Sequence, residues 1–163
     1  MISKKICMVG SFAVGKTALV EQYVHSIFSD RYLSTVGVKI SKKNCLVDDK
    51  DLSLVLWDME GKGEYSEINA SYLRGAMGFF VVADGTRKET LGTAAMLRML
   101  ALDIAGNVPH FLLLNKVDIR PDWTIGPEDI AQLEQQGIQV LYTSAKTGEG
   151  VDEAFMKLAQ AML

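Results

Sequence analysis

The chain is poor in cysteine. Cys7 and Cys45 are its only two among 163 residues, too few for a disulfide scaffold, and both sit in apolar runs that read as buried reduced thiols. Long hydrophobic runs are missing as well. The best apolar stretch, Phe79-Phe80-Val81-Val82-Ala83, is of strand size and far short of the roughly 18 residues a membrane span needs. Positive charge is not in excess, since 17 Lys plus Arg stand against 20 Asp plus Glu for a net charge of −3. This mild acidity gives no electrostatic footprint for binding nucleic acid, where a basic stripe would be expected. Met1-Ile2-Ser3-Lys4-Lys5 leads into four apolar residues and a glycine loop, which is no signal peptide. The sequence ends at Met162-Leu163 without a terminal cysteine to prenylate, so no membrane anchor is expected in this chain and a cytoplasmic location is. Repeats, linkers and low-complexity segments are lacking. His25 and His110 show no partner pattern, and neither a Ser-His-Asp arrangement nor metal-ligand spacing is present.

What is there is enough for one domain over residues 1–163, a length that buries roughly 70% of the surface its unfolded chain exposes. Ile6-Cys7-Met8-Val9, Phe79 to Ala83, Phe111-Leu112-Leu113-Leu114 and Val140-Leu141-Tyr142 are unbroken apolar runs, the pattern of parallel strands covered on both faces. Val38 to Val47 and Leu52 to Trp57 flank the polar turn Asp48-Asp49-Lys50-Asp51 and predict an antiparallel edge pair. Helices are predicted from about Lys16, with Leu19 and Tyr23, Val20 and Val24 at spacing four, and from Lys88 to Ile104 with Leu91, Ala95, Met99 and Leu102 on the inner stripe. Another runs from Gly126-Pro127-Glu128-Asp129 to Gly137, with proline at its first position and acids in its first turn. The last carries Val151, Ala154, Phe155, Leu158 and Met162. The eight methionines read mostly as core filler. The expected fold is a three-layer α/β domain with a six-stranded, mostly parallel sheet, one antiparallel edge strand and about five helices.

Gly10-Ser11-Phe12-Ala13-Val14-Gly15-Lys16-Thr17 matches G-x-x-x-x-G-K-[ST] between a strand and a helix. The glycines let backbone N–H groups turn around phosphate oxygens, and the helix N-terminus adds positive partial charge. Lys16 is suited to the β- and γ-phosphates, and the Thr17 hydroxyl to Mg²⁺. An ordinary strand-to-helix turn is the plainer alternative, and Lys16-Thr17 argue against it. The loop predicts a nucleoside triphosphate and leaves the base open.

Asn115-Lys116-Val117-Asp118 and Thr143-Ser144-Ala145-Lys146 each follow a predicted strand, so both lie at C-terminal strand ends on the rim that carries the phosphate loop. A carboxylate at Asp118 can accept from guanine N1–H and from its 2-amino group. Adenine offers neither donor in that arrangement and would leave Asp118 desolvated and unpaired. Read alone, Asn-Lys-x-Asp fits a solvated loop equally well; in this order with the other two motifs it points to guanine.

With these motifs the sequence resembles the Ras superfamily of small GTPases, the Rab branch most closely, over almost its whole length. Asp58-Met59-Glu60-Gly61 after Trp57 is similar to the family's D-x-x-G. Phe28 through Thr35 to Val38 is similar to a Rab first switch, and Ser71-Tyr72-Leu73-Arg74-Gly75-Ala76 to the end of a Rab second switch. The resemblance implies a P-loop small G domain that binds GTP or GDP through Gly10, Ala13, Val14, Gly15, Lys16, Thr17, Ala18, Phe28, Thr35, Asp58, Gly61, Asn115, Lys116, Asp118, Ser144, Ala145 and Lys146. It implies Mg²⁺ held by Thr17, Thr35 and, through water, Asp58. Phe28 would pack edgewise on the base, the Lys116 stem would lie along it, and the Ala145 N–H would read guanine O6. Lys16, Thr35, Gly61 and Lys62 would form the catalytic neighbourhood. Such a site is a switch: Thr35 and Gly61 tie two loops to the γ-phosphate, and hydrolysis releases them. The implied partners are effectors, an exchange factor and a GTPase-activating protein, all meeting the switch regions of a monomer. Ile40, Trp57 and Tyr72 stand where Rab proteins carry an aromatic trio for partners; whether Trp57 is exposed or core is open at this point.

The sequence departs from that pattern in the catalytic neighbourhood. Lys62 stands where the family has a water-orienting glutamine, Gly63 where Rab proteins carry an acid, and Phe12 where the phosphate loop is kept small. A tail cysteine is missing, so peripheral membrane association would need a tail beyond this sequence. The expected function is a GTP/GDP switch with slow Mg²⁺-dependent hydrolysis. The alternative is a GTP-locked or hydrolysis-deficient scaffold acting only as a binding module.

Overall fold

A computed structural model describes residues 2–25, 37–60 and 70–163. Its strands are β1 (Ile2–Gly10), β2 (Gly37–Val47), β3 (Lys50–Glu60), β4 (Gly78–Asp84), β5 (His110–Asn115) and β6 (Val140–Thr143). Its α-helices are α1 (Lys16–His25), α2 (Ala70–Leu73), α3 (Glu89–Ala105), α4 (Pro127–Gln135) and α5 (Val151–Ala161), with a 3₁₀ segment over Val117–Asp122. The sheet order is β2-β3-β1-β4-β5-β6; β2 runs antiparallel to β3 and the other pairs are parallel. This is the six-stranded, mostly parallel α/β fold expected.

Alternation along the central strands divides two cores. Ile6, Met8, Phe80 and Val82 face α1 and α5, where Leu19, Phe155 and Leu158 meet them. Cys7, Val9, Phe79, Val81 and Ala83 face the other way, onto Ala94, Leu97 and Ala101 of α3 and Ile130 and Leu133 of α4. A strand buried on both faces cannot afford polar positions, which is why these runs are continuous. Strand β3, between β2 and β1, differs: Leu52, Leu54 and Leu56 are buried, whereas Ser53, Val55 and Trp57, which alternate with them, are half-buried.

The structure corrects three details. The hairpin turn is two residues long, because Lys50 already pairs with Val47, and Asp48 and Asp49 adopt φ of 49° and 64°. Left-handed backbone at both central positions matches the twist of a hairpin, and aspartate tolerates it. The buried stripe of α3 is Thr90, Ala94, Leu97 and Ala101, with Met99 58% exposed. Among the described methionines only Met8 and Met162 are core; Met77, Met96, Met99 and Met156 are exposed. Cys7 is buried and Cys45 half-buried, both as free thiols. Among the described residues no helix is long and apolar enough to cross a membrane.

Candidate functional site

Parallel register brings the ends of four strands to one rim: Gly10 lies beside Val82, Asp84 beside Asn115, and Asn115 beside Thr143. From Gly10 the chain turns through Ser11–Gly15 into α1. A Cβ on Gly10 would lie 2.6 Å from the Val82 carbonyl oxygen, and one on Gly15 2.3 Å from the Asn115 amide nitrogen. Backbone cannot yield at the first, and the second has φ of +103° as well, so glycine is required by packing in addition to curvature. Ala13 also takes a left-handed φ of 62°.

Lys16 is 1% exposed, and its ammonium donates to the carbonyls of Gly10 (3.0 Å) and Ser11 (2.8 Å), arching across the loop it follows. Thr17 Oγ1 donates to Asp58 Oδ2 at 2.5 Å, joining the start of α1 to the end of β3. Asp58 is 1% exposed. A hydroxyl and a carboxylate side by side are hard oxygen donors of the kind Mg²⁺ takes alongside phosphate oxygens. Among the described residues no three His, Cys, Asp or Glu side chains gather, so an all-protein metal cage is absent there. The Thr17 hydroxyl and Asp58 carboxylate fit Mg²⁺ shared with a phosphate. Val14 is buried, and Ala18 is half-buried on the first turn of α1.

Asn115, 2% exposed, joins the three motifs. Its Nδ2 donates to Val14 O at 3.0 Å, and its Oδ1 accepts from Ala145 N and from Thr143 Oγ1, both at 3.2 Å. Ser144 Oγ donates to Asp118 Oδ1 at 2.8 Å and accepts from Thr147 N at 3.0 Å, which fixes one oxygen of an otherwise exposed carboxylate. Lys116 has φ of 76°, and its ammonium pairs with Asp84 Oδ2 at 2.7 Å. Lys146 is exposed beside them. The structure thus brings Gly10, Ala13, Val14, Gly15, Lys16, Thr17, Ala18, Asp58, Asn115, Lys116, Asp118, Ser144, Ala145 and Lys146 to one rim. Phe28, Thr35, Gly61 and Lys62, and Gly63 with them, lie outside the described residues.

Sequence reading passed over three residues here. Asp84 is fully buried; its Oδ1 accepts from Thr86 N (2.9 Å) and Thr86 Oγ1 (2.7 Å). An acid closing an otherwise apolar strand was its signal. Arg87 donates to the carbonyls of Phe12 and Ala13, and the Trp123 indole N–H donates to Lys116 O at 2.8 Å. A Cβ on Gly85 would lie 2.0 Å from that indole ring, so the glycine makes room for it.

Away from the rim, Ile40 is 51% exposed directly across from Trp57, and Tyr72 lies 5.9 Å from the Trp57 ring. Lys5 sets its ammonium 3.8 Å above that ring and donates to Arg74 O at 2.9 Å. Trp57 is half-buried, neither core nor free.

Comparison with known proteins agrees with this arrangement. The profile of the Ras family matches residues 5–163. The chain is 31% identical over 161 residues to Ras-related protein Rab-13 of Canis lupus familiaris, covering 98% of this chain and 79% of that one. It is 35% identical over 167 residues to Ras-related protein Rab-32C of Dictyostelium discoideum, covering 99% and 74%. To Ras-related protein Rab-4B of Homo sapiens it is 32% identical over 161 residues, covering 98% and 76%.

Proposed function

The chain belongs to the Ras family, as a Rab-like small GTPase, and from that premise we propose that residues 1–163 form one G domain working as a slowly hydrolysing GTP/GDP switch. The family binds guanine nucleotide with Mg²⁺. The observation that carries the reading is the Asn115 side chain, which opens the base-reading motif and hydrogen-bonds both the phosphate loop at Val14 and the Thr143–Ala145 segment at once. One buried amide thus ties its own motif to a loop 101 residues before it and to a segment 30 residues after it, which supports a single ligand spanning all three.

In this reading Asp118, oriented by Ser144, accepts the guanine N1–H and 2-amino protons, and the Ala145 N–H meets O6. Lys16 leaves the Gly10 and Ser11 carbonyls for the β- and γ-phosphates. Thr17, Thr35 and, through a water, Asp58 would hold Mg²⁺, which would supply positive charge to the phosphates. Thr35 and Gly61 report the γ-phosphate to effectors through the two switch loops, beside the surface of Ile40, Trp57 and Tyr72. Exchange and activating factors meet the same loops of a monomer.

Hydrolysis is expected to be slow. Positioning the attacking water takes a group that both donates and accepts, as a glutamine amide does. The Lys62 ammonium donates only. Phe12, 43% exposed at the mouth of the loop, crowds the space an activating protein would enter.

The test identifies the nucleotide released on denaturing the purified protein and follows single-turnover hydrolysis of wild type, Lys62→Gln and Phe12→Gly. Co-purified GDP with a several-fold faster Lys62→Gln supports the slow switch. Co-purified GTP that persists in all three assigns the protein to a locked scaffold instead, and a wild type faster than Lys62→Gln makes the lysine catalytic.

A further inference from the structure

We propose that Arg87 is a positioning residue that straps the phosphate loop in its phosphate-binding shape, with buried Asp84 tying that strap to the base-reading loop. The inference rests on the nucleotide-switch reading above.

Arg87 stands in the connection between β4 and α3, some 75 residues from the loop it touches. Its Nη1 donates to Phe12 O (3.1 Å) and Ala13 O (3.3 Å), and its Nη2 donates to Phe12 O (3.2 Å). The backbone beneath is fixed: Arg87 N donates to Asp84 O at 2.9 Å, and Arg87 O accepts from Thr90 N at 3.0 Å and Thr90 Oγ1 at 2.7 Å. Thr90 is 1% exposed. A short connection locked at both ends delivers the guanidinium to one place.

The two carbonyls matter because a peptide unit is planar and trans, so its C=O and N–H point in opposite directions. A cation that holds the Phe12 carbonyl toward itself turns the Ala13 N–H away from itself, and holding the Ala13 carbonyl does the same for the Val14 N–H. Those N–H groups are the ones a phosphate loop uses to cradle oxygens. Ala13 accomplishes this at a φ of 62° without being glycine, a conformation that needs an external hold. The charge on Arg87 further polarises both peptides, which strengthens their N–H donors. Arginine suits the task because its rigid fork spans two acceptors, where an ammonium is a single point.

Asp84 completes the device. Its Oδ2 lies 4.0 Å from Arg87 Nη1 and 2.7 Å from Lys116 Nζ, with the side chain fully buried. One carboxylate therefore serves a cation over the phosphate loop and a cation in the base loop, and loosening either end is felt at the other. Glu89, 3.4 Å from Arg87 Nε, is largely exposed and adds little.

The experiment measures release of a fluorescent GDP analogue from the full chain into excess GDP, together with thermal unfolding. Arg87 is 36% exposed, so its variants are expected to fold. Arg87→Ala should release the analogue about tenfold faster with the melting temperature of the nucleotide-free chain unchanged, and Arg87→Lys should fall between it and wild type. Guanidinium chloride at sub-denaturing concentration should slow release again in Arg87→Ala, while an equal concentration of sodium chloride should not. Wild-type release from Arg87→Ala overturns the strap, and so does faster release accompanied by a lower melting temperature and no rescue. A wild type that fails to retain the analogue overturns the switch reading itself, before any substitution is made.

Discussion

Phe80 in the middle of the sheet and Asn115 at its rim are buried alike, at 0% and 2% exposure, yet their surroundings are opposites. Phe80 meets Phe155 edge-on at 4.9 Å, and Phe155 stacks on Tyr23 at 3.9 Å, with only apolar neighbours to satisfy. Asn115 makes three directed hydrogen bonds. Among the described residues, every buried polar or charged side chain (Lys16, Asp58, Asp84, Thr90, Asn115, Thr143 and Ser144) belongs to the rim. Burying such groups costs free energy unless each finds a partner. Gathered at one edge, they suit the polar ligand of the proposed function. The middle holds the molecule together, and the rim spends part of that stability on specificity.

Substitutions that separate the two regions should therefore affect different measurements. Phe155→Ala opens a cavity between Tyr23 and Phe80 and should lower the unfolding free energy by about 3–5 kcal/mol in denaturant titration. The fraction still folded should keep its guanine-nucleotide affinity. Asp118→Asn should do the reverse. Guanine-nucleotide binding measured by calorimetry should fall by roughly 2–5 kcal/mol, with xanthine nucleotide gaining because its C2 oxygen can accept from the new amide, and stability of the apo chain should hardly move. Unchanged GDP affinity would remove the case for guanine.

A smaller split is expected within the rim. Thr17→Asn removes the hydroxyl beside Asp58 and should weaken GTP more than GDP in the presence of Mg²⁺, a difference that chelation by EDTA abolishes. Smallest of all is a titration on the apolar side. His110 stacks on Phe79 at 4.6 Å; its Nε2 accepts from Arg98 Nε at 3.1 Å, so Nδ1 carries the proton given to Val108 O at 2.9 Å. Burial lowers its pKa below the ordinary 6.5 and the Arg98 charge adds to that, against the Val108 carbonyl. The folded pKa then lies below the unfolded one, so the unfolded chain takes up the proton first as pH falls and stability declines below about pH 6.5. Between about pH 7.5 and about pH 5.5 the melting temperature of wild type should drop slightly further than that of His110→Gln.

The same contrast explains how much could be read from the sequence. The apolar runs of β1, β4 and β5 were plain because burial on both faces leaves no polar position to confuse them, and the α5 stripe of Val151, Ala154, Phe155 and Leu158 was plain because its other face is charged. Helix α3 misled because alanine, leucine and methionine occur all around it, so periodicity could not choose between Leu97, which is buried, and Met99, which is not. At the rim, the motif residues declared themselves by spacing. Asp84, Arg87 and Trp123 did not, since their roles depend on loops that meet only once the sheet has set its register.

The two tryptophans of the chain pack against the same core at separate places. The Trp123 indole is bonded to the Lys116 carbonyl and rings the floor of the base loop, whereas Trp57 lies under the Lys5 ammonium beside Tyr72. The molecule thus carries two intrinsic fluorophores that each lie under a cation, Lys5 over Trp57 and Arg120 over Trp123, with a hydrogen bond to the backbone added at Trp123. Replacing either by phenylalanine leaves an optical signal from the other alone, so events at the Lys116 loop and events at the surface of Trp57 and Tyr72 can be timed independently in unlabelled protein.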